Sequence, residues 1–158
     1  MTRILVDADS CPRDARELVV RVTRRLGIKA VFAANRPIPG TDSENVAMEI
    51  CPPGDNSADN RLVELAEPGD LAISRDLALA KRLLEKGSAV IDDRGRVFTL
   101  ESINELLSIR DFTVGLAQTG LGVERTANYG KKEGKAFADS LDRQITKLLK
   151  SGGAVSGG

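Results

Sequence analysis

The chain has 158 residues, with 23 basic and 23 acidic side chains, a hydrophobic fraction of 41% and no histidine. These totals fit one globular domain able to bury a core, and no run nears the roughly 20 apolar residues of a membrane span. They exclude imidazole chemistry and a disulfide scaffold, so reactivity must rest on carboxylates, hydroxyls, amines, the thiols of Cys11 and Cys51, or a bound metal.

Residues 4–6, Ile-Leu-Val, read as an apolar strand running straight into Asp7-Ala8-Asp9-Ser10. Strand alternation then puts Asp7 and Asp9 on one side, and two carboxylates held together call for a compensating cation. Residues 13–26 carry the clearest helical stripe, Ala15, Leu18, Val19, Val22 and Leu26, with Gly27 as the stop. Residues 29–33 form a second strand and 35–43 a loop broken by Pro37, Pro39 and Gly40. Residues 46–50 form a third strand, and a helix over about 57–66 follows with Ser57 as its N-cap.

Pro68-Gly69-Asp70 turns into a strand at 71–73, and a helix over about 75–85 buries Leu77, Ala80, Leu83 and Leu84. Residues 89–91 are a fifth strand, Asp92-Asp93-Arg94-Gly95 a turn, and 97–99 a further extended piece. Helical pattern resumes near Glu101 and again over about 133–150, where Phe137, Leu141, Ile145 and Leu148 share a stripe. The segment 120–134 reads as a connection rich in glycine and lysine. Residues 151–158 read as a disordered tail beyond a single domain over 1–150.

Alternating strands and helices imply an α/β fold, a three-layer α/β/α arrangement with a mainly parallel sheet. Such folds bind ligands beyond the carboxyl ends of their strands. Asp7 and Asp9 close the first strand, Ser74-Arg75-Asp76 closes the fourth, and Asp59 lies one turn into its helix. Asp7, Asp9, Asp59 and Asp76 would form an all-oxygen donor set suited to Mg²⁺ or Mn²⁺, whereas zinc calls for histidine or thiolate. A metal so held can generate a hydroxide nucleophile and stabilise charge on a phosphoryl group.

Each residue also has a plainer reading. Asp7 and Asp9 could cap strand-end amides, Asp76 could cap the helix it opens, and Asp59 could be a first-turn acid favoured by the helix dipole. Ser74 orients a ligand or metal-bound water, or is an ordinary N-cap. Arg13 holds a phosphate or is a solvated charge, and Asn35 reaches the same sheet edge. Lys131 and Lys132 contact nucleic-acid backbone or are surface lysines. Asp70, Asp92 and Asp93 read as turn residues, and Cys11 as structural.

The segments Val6-Asp7-Ala8-Asp9-Ser10-Cys11-Pro12, Ala58-Asp59-Asn60 and Gly69-Asp70-Leu71-Ala72-Ile73-Ser74-Arg75-Asp76 resemble the YaiI/YqxD family of bacterial proteins, over about residues 3–150. That family is regarded as related to PIN-domain nucleases. The resemblance implies a PIN-like fold in which Asp7 matches the strand-one aspartate. Asp59 then matches the helical aspartate, and Ser74-Arg75-Asp76 matches a Ser/Thr-x-Asp motif. A further glutamate usual in PIN nucleases has no counterpart that can be placed here.

The charge is unevenly spread: residues 41–76 hold nine acidic and two basic side chains, while 125–150 hold seven basic and three acidic. An acidic middle between basic segments suits a metal site that receives a polyanion, although charge runs are commonly solvated faces. The leading expectation is a cytoplasmic Mg²⁺- or Mn²⁺-dependent nuclease or phosphodiesterase acting on RNA or another nucleic acid. With four Phe and one Tyr there is little for base stacking, so such contacts should be backbone-led and salt-sensitive. The alternatives are a haloacid-dehalogenase-type phosphatase with Asp7 as nucleophile, and a non-catalytic binding module. The sequence leaves the oligomeric state open.

Overall fold

In a computed structural model the described residues are 2–54, 56–118 and 129–156, with side chains described through Ile109 and from Tyr129 to Ser151. The elements, in chain order, are β1 (Arg3–Asp7), α1 (Arg13–Leu26), β2 (Lys29–Ala34), β3 (Val46–Ile50), α2 (Ser57–Leu65) and β4 (Leu71–Ile73). They continue with α3 (Leu77–Glu85), β5 (Ala89–Ile91), β6 (Val97–Phe98), α4 (Leu100–Gln118) and α5 (Lys131–Ser156). Most of the connection read over 120–134 lies outside the described residues. So do the side chains of the tail expected to be disordered over 151–158, apart from Ser151; the helical backbone of α5 runs to Ser156. Among the described residues no helix is long and apolar enough to cross a membrane.

The six strands form one sheet in the order β3-β2-β1-β4-β5-β6, parallel except for the antiparallel pair β5–β6. The chain first builds outward from β1 to β3, then returns to place β4 on the other side of β1. The order therefore reverses between β1 and β4, and in such sheets the crevice at the reversal is where ligands bind.

Strand periodicity divides the core into two. Ile4 and Val6 of β1, Ala30 and Phe32 of β2 and Ile73 of β4 face α1 and α5, where Val19, Phe137, Leu141 and Ile145 cover them. Leu5, Val31, Ala33, Ala72 and Val90 face the opposite layer, built from Ala58 and Leu62 of α2, Leu79 and Leu83 of α3, and Ile103 of α4. Strands buried on both faces read as continuous apolar runs, as these do. The result is a three-layer α/β/α protein. The connection between parallel β2 and β3 holds no helix; buried Ile38 packs into the α1 side of the core instead.

Two helix starts differ from the sequence reading. The N-cap of α2 is Asn56 at φ 64°, in the left-handed region that asparagine tolerates better than most side chains. Ser57 lies inside the helix, and its hydroxyl instead donates to Asn35 Oδ1 at 3.0 Å. Helix α3 begins at Leu77, with Asp76 as its N-cap accepting the Leu79 amide at 3.1 Å.

Candidate functional site

The site is assembled where β1 and β4 end. Odd-numbered residues of β1 face the α2/α3 layer, so Leu5 enters that core and Asp7, one pleat on, presents its carboxylate at the core's upper rim. Asp7 is only 6% exposed. Its Oδ2 accepts the Ser10 hydroxyl at 2.9 Å and the Ser74 hydroxyl at 2.9 Å. Burial raises its pKa against those two donors, and the charges of Asp76 and Asp9 push the same way. Among the described residues no cation pairs with it.

Asp9 does not share the face of Asp7. The strand stops at Asp7 and Ala8–Ser10 wind into one 3₁₀ turn, tied by the Cys11 amide to the Ala8 carbonyl at 3.3 Å. A 3₁₀ turn advances each side chain by a third of a revolution, so two residues do not restore the strand face. The Asp9 carboxylate turns to the end of β2, accepting the Asn35 amide at 3.0 Å and lying 3.6 Å from the Arg36 guanidinium. The expectation of two carboxylates side by side along one strand is corrected to one buried carboxylate and one half-exposed carboxylate with its own partners.

The remaining acids approach from the helical layer. Asp59 sits in the first turn of α2, and burial pushes its carboxyl up to about 6, with Asp7, Asp76 and Asp9 adding and Arg82 opposing. Buried Ser74 is held from both sides, donating to Asp7 while its oxygen accepts the Asp76 amide at 3.0 Å. Asp76 carries out the capping reading, which leaves it within electrostatic reach of Asp7 and Asp59.

The donor chemistry, carboxylate and hydroxyl oxygen throughout, fits a hard divalent cation. Among the described residues, however, no three His, Cys, Asp or Glu side chains are gathered closely enough to hold a metal ion. The four aspartates form a shared acidic field with Asp7 at its buried centre, rather than a closed cage.

The other candidates are distributed around the sheet edge. Asn35 joins the site, linking Asp9 through its amide and Ser57 through its side chain. Arg13 pairs with Glu17 at 2.9 Å on the exposed surface of α1. Lys131 and Lys132 occupy the exposed first turn of α5, and neither makes an ion pair with the aspartates among the described residues. Cys11 is buried and its thiol is pushed up to about 12 by that burial, so it holds no thiolate at neutral pH.

Several participants were not read from the sequence. Ser10, three residues after Asp7, was legible as a turn partner of an aspartate and is the clearest omission. Arg36 and the Arg82–Asn60 contact at 2.9 Å depend on tertiary placement and left no local signal. Asp92 and Asp93 belong to a turn as expected, Asp92 accepting the Arg94 amide at 2.9 Å and the Arg96 amide at 2.8 Å. Asp93 is also buried and paired with Arg75.

Fold and edge together define a three-layer α/β protein with a buried carboxylate at its topological switch point. A family described as "Uncharacterized BCR, YaiI/YqxD family" matches residues 5–147, and the chain belongs to it. Among relatives, a UPF0178 protein of Treponema pallidum (strain Nichols) is 46% identical over 145 residues, covering 92% of this chain and 82% of the relative. A UPF0178 protein of Syntrophobacter fumaroxidans is 45% identical over 148 residues, covering 94% and 97%. One of Treponema denticola is 43% identical over 148 residues, covering 94% of each chain. No solved structure matches the chain.

Proposed function

We propose that the protein is a Mg²⁺- or Mn²⁺-dependent phosphodiesterase acting on nucleic acid, with RNA the first substrate class to try. The observation that carries this reading is Asp7, buried at the switch point between β1 and β4 with hydroxyl donors and, among the described residues, no cationic partner. Leaving a carboxylate there is costly unless something compensates the charge, and buried, perturbed carboxylates cluster at functional sites. The resemblance to PIN-domain nucleases supports the same assignment.

On this reading Asp7 would be the principal ligand, with Asp9 at the margin beside Arg36. Asp59 and Asp76 would have to close in on the cation from the helical layer, since the described side chains are not gathered into a cage without it. The bound cation would supply a hydroxide nucleophile and neutralise charge on the phosphoryl oxygens. The protein's own part is to fix Asp7: Ser10 and Ser74 clamp one carboxylate oxygen, leaving Oδ1 for the ligand. Below about pH 6 Asp59 holds a proton that a cation would have to displace, so affinity would fall as the medium is acidified through that value.

The test is cleavage of single-stranded RNA in Mn²⁺ and in Mg²⁺ by wild type and Asp7→Asn. Cleavage that needs the metal and is lost in the variant supports the assignment; equal cleavage by both proteins places the activity elsewhere.

A further inference from the structure

We propose that Asp93 is a positioning residue for the acidic edge and acts through Arg75; this rests on the reading of that edge as the functional site. Asp93 is 3% exposed although it lies in a turn, where carboxylates ordinarily face water. The turn itself is served by Asp92, whose Oδ1 takes the two turn amides. Asp93 Oδ2 takes the Arg75 guanidinium, a residue 18 positions earlier in the chain.

Arg75 is the middle residue of Ser74-Arg75-Asp76, and both neighbours supply the site. Ser74 donates to Asp7, and Asp76 brings its charge towards Asp7 and Asp59. Apart from the Ser74 and Asp76 bonds already described and the Ala80 amide on the Asp76 carbonyl, the segment is held by strand and helix ends. The ladder from β4 to β1 ends at Ile73, and Ser74 makes the last backbone tie across the sheet, its amide to the Ile91 carbonyl at 3.1 Å. Helix α3 starts only at Leu77.

The far end of the tether is firm. Gly95, two residues beyond Asp93, lies so close to α5 that a Cβ there would stand 2.5 Å from the Ala136 carbonyl oxygen. The β5–β6 turn is thus braced against a helix packed on the core, and the Arg75–Asp93 pair transmits that brace to the segment carrying Ser74. A buried carboxylate holding a guanidinium is an effective tether, because separating the two leaves a charge uncompensated. Arg75 itself is 41% exposed, so a direct substrate contact is the rival account of the same side chain.

The test compares wild type, Asp93→Asn, Arg75→Gln and Arg75→Lys by amide hydrogen exchange of the metal-free proteins and by Mn²⁺-dependent RNA cleavage. The tether predicts that exchange at the Asp76 and Leu79 amides accelerates about tenfold in both Asp93→Asn and Arg75→Gln, while the Val6 amide stays protected. It predicts a kcat lowered about tenfold with KM within twofold, and partial recovery in Arg75→Lys. Unchanged exchange in Asp93→Asn overturns the proposal, as does loss of cleavage in Arg75→Gln with Asp93→Asn fully active. If Asp93→Asn does not fold, Arg75→Gln gives the same exchange readout. If wild type cleaves nothing, the functional reading fails while the exchange data still decide the tether.

Discussion

Ser74 and Asp7, 67 residues apart in sequence, meet at 2.9 Å across the gap between β4 and β1. The serine hydroxyl donates to the carboxylate and its oxygen accepts the Asp76 amide, so one buried side chain joins a strand end to a helix start. Ser74→Ala removes a donor to the charged form of Asp7 and leaves the Asp76 amide unsatisfied. A loss of about 1–3 kcal/mol is expected by chemical denaturation, since buried groups stripped of a partner carry their desolvation cost. Because the lost bond favoured the ionised carboxyl, the Asp7 pKa, already raised, moves further up in the variant. Carbon-13 NMR titration of the carboxyl reports that shift directly.

Asp59 gives a stability prediction with a definite sign. Its folded pKa, about 6, lies above the ordinary 3.8, so the folded state binds more protons than the unfolded state between those values. Folded stability therefore decreases as pH rises through that window, and the penalty is complete above pH 6. Asp59→Asn removes the penalty. The variant should exceed wild type by about 1 kcal/mol at pH 7.5, a figure discounted for the carboxyl's partial exposure, with the difference nearly gone at pH 4. Urea melts at the two pH values check it; an advantage confined to pH 4 contradicts it.

Gly95 combines a φ of +89° with a space that admits no side chain. Gly95→Ala must displace the α5 backbone or distort the turn, since the obstructing atom is a carbonyl oxygen rather than a flexible tip. A loss of at least about 2 kcal/mol is expected. Gly40, also at positive φ but with nothing within 4 Å of a Cβ, serves as the control. Gly40→Ala carries only the backbone penalty, about 1–2 kcal/mol, and thermal unfolding separates the two effects.

Much of this architecture could be read from the chain because its signals are local. The run Ile4-Leu5-Val6, the stripe of α1 ended by Gly27, and Phe137, Leu141 and Ile145 on α5 are fixed by periodicity and punctuation. They are buried as their pattern requires, except that Leu18 is partly buried and Leu26, at the end of α1, is exposed. Asp7 and Ser74 could be placed at strand ends for the same reason. The relation of Asp7 to Asp9 could not, because a strand that stops one residue sooner and turns into 3₁₀ geometry rotates the second carboxylate away. Nor could the burial of Asp93 and Asp70. Each sits in a turn that looks solvated in sequence, and each is matched by an arginine from elsewhere, Arg75 for the one and Arg3, at 3.2 Å, for the other. A distant arginine leaves no periodic trace. The α2 cap was misassigned to Ser57 because serine is the better cap by preference, whereas the chain needed Asn56 to adopt positive φ.

The central claim is that Asp7 is the buried heart of a divalent-cation site, and the direct measurement is thermal unfolding of wild type and Asp7→Asn across a Mn²⁺ titration. A cation that binds only the folded protein adds about 2.7 kcal/mol at a hundred times its dissociation constant. Asn keeps an acceptor for Ser10 or Ser74 and removes a charge disfavoured by burial, so the metal-free variant should unfold at or above the wild-type temperature. The account predicts a wild-type melting temperature that climbs with Mn²⁺ and an Asp7→Asn temperature that does not. Parallel curves for the two proteins, rising or flat, would contradict it.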